Sequence, residues 1–221
     1  YVKTVCTAEG FDGWKQVDFV TECEMFDVVN ESFTNTPVGS STNMILPLCW
    51  SFIDEGAGFG FVSTGSNYTA PRGFQMSNST DTSGSYVLVS PETNNLGNGN
   101  YRLRFRAKTT SANGENLLVL TLPGTGSTDS SVVLETIPLT TTYKEFIVYI
   151  PIGAHDYFGL KHGTSASSRI IYIDDVVLEP RPTCVDVENV EGVMNYAQSS
   201  VTLTWENPDL LNLSNQFEVQ Y

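Results

Sequence analysis

The sequence predicts an all-β protein, an antiparallel β-sandwich. Three observations carry this. Apolar residues alternate with polar ones at period two, and helical periodicity is almost absent. Aromatic residues are plentiful, with 10 Tyr and 12 Phe in 221 residues, and such side chains fit a pleated, half-buried surface. Clusters of Ser, Thr, Asn and Gly separate the apolar runs, which is turn chemistry.

The elements follow in order. Tyr1–Val5 reads as a strand, then a Gly-Phe-Asp-Gly turn, then a second strand over Trp14–Thr21. Phe26–Phe33 is the next strand. Ser63–Gly84 is a long polar stretch expected to form a loop, and Tyr86–Ser90 follows it. Tyr101–Ala107 alternates cleanly, so Leu103 and Phe105 face inward and Arg102, Arg104 and Arg106 face out. Leu117–Leu122, Val132–Leu134, Phe146–Ile150, Tyr157–Lys161 and Ile170–Leu178 complete the set. Asn95–Asn100, Ala112–Gly114 and Pro123–Ser127 supply turn residues that tolerate positive φ. Glu179–Cys184 holds two prolines, which cannot continue a strand ladder, and reads as a linker. Strands near Val185–Val193, Ser200–Trp205 and Phe217–Tyr221 come after it.

Composition excludes several functions. There are 25 acidic against 11 basic side chains, a net charge of −14, and no basic stripe to neutralise nucleic-acid phosphates. No run of about 18 apolar residues offers a membrane span. Tyr1–Val5 lacks the charged start and apolar stretch of a signal peptide. With 40% hydrophobic residues the chain can bury a core.

The two ends carry a resemblance. Cys184, Ser200-Val-Thr-Leu-Thr-Trp205 and Phe217-Glu-Val-Gln-Tyr221 resemble the first strands of a fibronectin type III domain. Tyr1–Cys6, Gly10–Trp14 and Val17–Cys23 are similar to the last two strands of such a domain, in a variant found in large secreted proteins of the Bacteroidota. The centre resembles the MAM-like jelly-roll domains of the same surface proteins. The matching pieces are Asn30–Phe33, Leu46-Pro-Leu-Cys-Trp50, Gly99–Ala107 and Ile171-Tyr-Ile-Asp-Asp-Val176. The resemblance implies three segments: 1–23 as the end of one module, 24–180 as the jelly roll, and 181–221 as the start of another. The jelly roll implies two antiparallel sheets packed face to face.

Cys6, Cys23, Cys49 and Cys184 form no Cys-x-x-Cys pair and no Cys/His cluster, so zinc is not expected. Four cysteines in an acidic, β-rich chain suit an oxidising, extracellular setting. Cys6 and Cys23 sit at opposite ends of their predicted hairpin, which argues against that pair. The jelly-roll resemblance implies adjacent first and last strands, and hence a Cys23–Cys184 bridge. Cys23–Cys49 is the rival pairing, and a buried Cys49 thiol is a third reading.

Asp174 and Asp175 are adjacent in a strand, so one carboxylate is expected to face the interior or the neighbouring strand, and an inward one needs a partner or a metal. By resemblance to carbohydrate-binding jelly rolls, Glu31 and Asp174 would hold a structural Ca²⁺ between the first and last strands. Calcium accepts such mixed oxygen ligands. The bland reading is that both carboxylates accept loop N–H groups instead.

No catalytic constellation stands out. His155 and His162 have no Gly-x-Ser-x-Gly motif beside them. Asp54 and Glu55 are adjacent on a turn and do not oppose each other across a cleft as glycosidase carboxylates do. A binding role has better chemistry, since sugar rings stack on aromatic faces. Trp50, Tyr68, Arg72, Phe74 and Tyr157 are the candidate ligand-binding residues. The expected function is a noncatalytic extracellular adhesion or ligand-binding module of a large multidomain surface protein, with a glycan or protein partner. The alternatives are an accessory carbohydrate-binding region of a secreted hydrolase and a repeat of an extracellular filament joined by strand addition.

Overall fold

The structure is a computed structural model and describes residues 23–65, 67–182, 187–195, 197 and 200–206. Thirteen strands and no helix occur among the described residues. Two antiparallel sheets form the main body. The first contains β3 (Phe59–Ser63), β4 (Gly73–Ser77), β11 (Ile170–Pro180), β6 (Tyr101–Thr109) and β9 (Lys144–Tyr149), in that order. β1 (Val29–Glu31) pairs with the Val176–Leu178 end of β11, while β4 pairs with its Ile170–Ile173 end. The long β11 therefore has two partners in succession along one side. The second sheet runs β2 (Ser51–Asp54), β5 (Tyr86–Val89), β10 (Tyr157–His162), β7 (Asn116–Leu122), β8 (Val132–Pro138).

The inner faces meet in one apolar core. β6 contributes Leu103, Phe105 and Ala107, all fully buried, as its alternation predicts. Phe74, Met76, Ile171, Ile173, Val176 and Leu178 join from the same sheet, and Leu88, Leu117, Val119, Phe158 and Leu160 face them from the other. Each large side chain so buried contributes roughly 1.5–3 kcal/mol over its exposed state, and this drives the sheets together.

Several expectations need correction. Residues 63–84 are not one loop: β4 lies inside them. Its Phe74 and Met76 alternate inward among Ser and Gln, a strand signal diluted by the polar composition around it. The strand over Phe26–Phe33 shrinks to Val29–Glu31, with Phe26 making an isolated bridge to Thr93. β11 continues to Pro180, opposite Tyr101, so the linker does not begin at Glu179. A proline at a ladder's end costs no paired N–H.

The favoured disulfide is also corrected. Cys23 bonds to Cys49, the rival pairing. The first and last strands are indeed neighbours, but Cys23 precedes β1 and turns toward the segment entering β2. Cys6 and Cys184 lie outside the described residues, as do the strands expected over 1–21 and 217–221. Of the third segment, β12 (Glu188–Asn195) and β13 (Ser200–Glu206) form a two-stranded antiparallel sheet.

The Asp174–Asp175 expectation changes for a clear reason. β11 carries a bulge there: Asp174 opposes Arg106, and the next paired residue, Val177, opposes Arg104. One extra residue sits in β11, and Asp175 takes φ 49°. The bulge shifts the side-chain parity. Ile171 and Ile173 face the core before it, and Val176 and Leu178 after it. Neither aspartate enters the core. Asp174 pairs on the outward side and is buried beneath a loop.

Candidate ligand-binding site

The outer face of the first sheet brings together the chemistry that sugar recognition uses. Strand register builds it. Phe61 opposes Gln75, Gln75 opposes Tyr172, and Tyr172 opposes Lys108, so one row crosses four strands. Tyr143 enters β9 beside this row, and the Lys108 ammonium lies 4.9 Å from the Tyr143 ring centre and 5.4 Å from that of Tyr172. Tyr68 reaches the same place from the loop between β3 and β4. Its ring meets Tyr143 edge-on at 5.8 Å, and the Arg106 guanidinium stacks over it at 4.1 Å. Aromatic faces attract such cations through their quadrupole.

Tyr68 is 52% exposed, while Tyr143, Tyr172, Lys108 and Arg106 are half-buried. The platform is therefore accessible yet braced from below. Burial, with the nearby Asp174, Tyr172 and Asp175, raises the Tyr143 hydroxyl's pKa, so the phenol stays protonated at neutral pH.

The loop carrying Tyr68 is held by the bulge. Asp174 Oδ2 accepts the Tyr68 and Thr69 N–H groups at 2.7 and 2.9 Å, and the Thr69 hydroxyl donates to Asp175 at 2.9 Å. Asp175 also lies 3.6 Å from Arg106. The strand must pass close to this carboxylate. A Cβ on Gly73 would sit 3.3 Å from Asp174 Oδ2 and 3.4 Å from the Asn67 Cα, which is why glycine fits there.

Glu31 pairs in register with Val176, two residues along β11 from Asp174. Burial raises the Glu31 pKa, the Phe33 N–H opposes this, and the Asp174 charge adds to the rise. Burial likewise lifts Asp174 to about 6 against three backbone hydrogen bonds. Among the described residues, no group of three or more Asp, Glu, His or Cys side chains forms a metal cluster. Among the described residues, Asp174 Oδ1 accepts the Asp175 N–H alone and Glu31 accepts the Phe33 N–H through Oε1, so lone pairs remain on both side chains.

The other ligand-binding candidates lie elsewhere. Trp50 and Phe74 are core residues, 7% and 0% exposed. Trp50 packs edge-on against Phe158, and Phe74 against Phe33 and Phe52. They are corrected from ligand platforms to core, since both point between the sheets. Arg72 donates to the Thr34 and Thr36 carbonyls at 3.0 and 2.7 Å and anchors that loop. Tyr157 is in the second sheet and bonds Glu92 at 3.0 Å. Only Tyr68 belongs to the platform. Tyr172, Lys108 and Tyr143, which stand beside it, were not among the sequence candidates. Tyr172 was within reach, because it alternates between the inward Ile171 and Ile173.

Comparison with known proteins agrees at the level of fold. No protein-family model and no curated protein matches the sequence. Among solved structures, the chain is similar to the K1 cleaved adhesin domain of Lys-gingipain from Porphyromonas gingivalis W83, at TM-score 0.53 and 19% identity, covering 70% of this chain and 99% of that one. The K3 cleaved adhesin domain of the same protein matches at TM-score 0.52 and 21% identity, covering 68% and 96%. The CBM22-1 xylan-binding domain of Paenibacillus barcinonensis Xyn10C is a looser match, with TM-score 0.48, 11% identity and 72% and 97% coverage. At their identities the likeness to the two adhesin domains shows a shared fold.

Proposed function

We propose that this chain is a noncatalytic extracellular binding module that recognises a saccharide on the outer face of the first sheet. The observation that carries this is the convergence of Tyr68, Tyr143 and Tyr172 with Arg106 and Lys108 on one accessible surface. Rings offer stacking faces, and the cations and Gln75 offer donors to hydroxyls. The adhesin fold of the similar structures supports the adhesion reading. The Cys23–Cys49 bridge supports secretion into an oxidising space. The MAM-like reading of the main body and the fibronectin type III reading of 181–221 belong to the same proposal.

A glycan array with the full chain tests it. Binding to at least one saccharide class is expected, weakened roughly three- to tenfold in Tyr68→Ala and Tyr172→Ala by the loss of a stacking contact. An array with no bound glycan, or binding indifferent to both variants, overturns it. A calcium ion at Glu31 and Asp174 is part of the proposal, since a cation would offset the repulsion between them. The expected result is a higher melting temperature in millimolar calcium than in chelator, abolished by Glu31→Gln. Identical melting curves in the two buffers would remove the ion.

A further inference from the structure

We infer that the saccharide recognised at this face is anionic, a uronate whose carboxylate docks on Lys108 between the Tyr143 and Tyr172 rings. This rests on the proposal that the face binds saccharide and names the class of that ligand.

The argument is one of charge pairing. β6 presents Arg102, Arg104, Arg106 and Lys108 in a single outward row. Carboxylates occupy the three arginines. Glu179 lies 2.8 Å from Arg102 and 3.4 Å from Arg104. Glu145 lies 3.0 Å from Arg106, and Asp175 3.6 Å from its Nε. Lys108 has no carboxylate partner among the described residues; it meets only the two ring faces. Ring faces attract the ammonium without offering it an oxygen acceptor, so a carboxylate can still take its N–H donors.

The rest of the chain sharpens the selectivity. With a net charge of −14, the molecule repels polyanions in general. Fields are screened beyond about 8 Å at physiological salt, so anion binding must come from this local point and not from bulk attraction.

Affinity electrophoresis of the full chain tests the inference, with polygalacturonate or alginate in the gel. The same polymers after carboxyl reduction, and poly-glutamate, serve as comparisons. The expected result is retardation by a polyuronate at least tenfold stronger than by its reduced form. Lys108→Met should lose that preference, Lys108→Arg should keep it within about threefold, and poly-glutamate should have little effect. Equal retardation by reduced and native polymers, unchanged in Lys108→Met, overturns the anionic ligand and leaves saccharide binding standing. No retardation by any polyuronate also overturns it, and the neutral polymers then report separately on saccharide binding. Retardation by poly-glutamate as strong as by polyuronate, lost in Lys108→Met, would assign the site to acidic peptides and overturn the inference.

Discussion

The two outer faces of the sandwich come from sheets of similar size but do opposite things. On the second sheet, Ile53, Val87, Val89, Leu120 and Leu122 form their own apolar cluster, each under 5% exposed, with Leu118 and Tyr157 packed against it. Polar contacts rim it: Lys161 bonds Ser85 at 3.0 Å, and Thr128 bonds Glu55 through both its N–H and its hydroxyl. Gly159 sits within, where a Cβ would come 2.6 Å from Leu122 and 2.8 Å from Val87. On the first sheet the corresponding surface is arginine, glutamate and tyrosine, open to water. A closed apolar face stabilises folding. An open polar face contributes little to stability, so its side chains can serve recognition. Mutations should therefore separate the two.

The largest effect is expected in the closed face. Leu122→Ala should destabilise by about 2–5 kcal/mol, through lost transfer energy and a cavity. Ligand affinity should be unchanged where the variant is folded. Tyr172→Ala on the open face should cost under about 1 kcal/mol in urea denaturation and yet weaken binding. If the two variants lose similar stability, the division between the faces fails.

The disulfide tests how the two sheets are tied at their entry points. Cys23 leads toward β1 in the open-faced sheet and Cys49 toward β2 in the closed-faced one, 26 residues apart. Closing a loop of that length should be worth about 3 kcal/mol through the unfolded chain. Cys49→Ser, or reduction, should lower stability by about that amount, read from denaturation midpoints. A loss well below 1 kcal/mol would mean the entry segments are fixed by packing alone.

The contrast between the faces was only half legible in the sequence. β6 showed it in full, because Arg and Lys alternate with Leu, Phe and Ala without interruption. β7 hid it, since Leu117 to Leu122 is apolar at five of six positions; both of its faces are covered, and period two disappears. Phe74 misled for a related reason, while Trp50 stands in the apolar run Leu46–Ile53, where burial is the commoner outcome. Aromatic residues in polar surroundings look exposed, but only the three-dimensional pairing shows which way they point. The exposure of Tyr68 was legible because it lies in a polar loop. Its neighbours Tyr143 and Lys108 are 75 and 40 residues away in sequence, joined by a register that composition does not encode. The bulge at Asp174 was equally hidden. Without it, strict alternation sends one aspartate into the core.

That bulge gives the next prediction. Asp174 has its pKa raised from 3.8 to about 6, chiefly by burial. A raised carboxylate favours the folded state when protonated. Its contribution is complete below pH 3.8 and is lost as pH rises through about 6. In chelator, wild type should therefore lose stability relative to Asp174→Asn between pH 4 and 7, by on the order of 2–3 kcal/mol. His162 is depressed by burial and works in the other direction, so the difference between the two proteins is the quantity to follow. A constant difference across this range would show that the loop N–H groups fully offset the burial.

The smallest effect probes the open face's own charges. Arg102 and Glu179 meet at 2.8 Å with side chains 21% and 27% exposed. Burial pushes the Glu179 pKa up, but bonds from Arg102 and Arg104 outweigh this and lower it. Partly exposed pairs of this kind contribute about 0–1 kcal/mol. A double-mutant cycle with Arg102→Ala and Glu179→Ala should give a coupling of about 0.5 kcal/mol, shrinking in 1 M salt as screening shortens its range. A coupling that small assigns the ion pairs to orientation: Glu179 and Glu145 hold the arginine row in place while the apolar face opposite does the stabilising. A coupling above about 2 kcal/mol, insensitive to salt, would mean that the open face supports the fold as strongly as the closed one. Its side chains would then not be free to vary with the ligand.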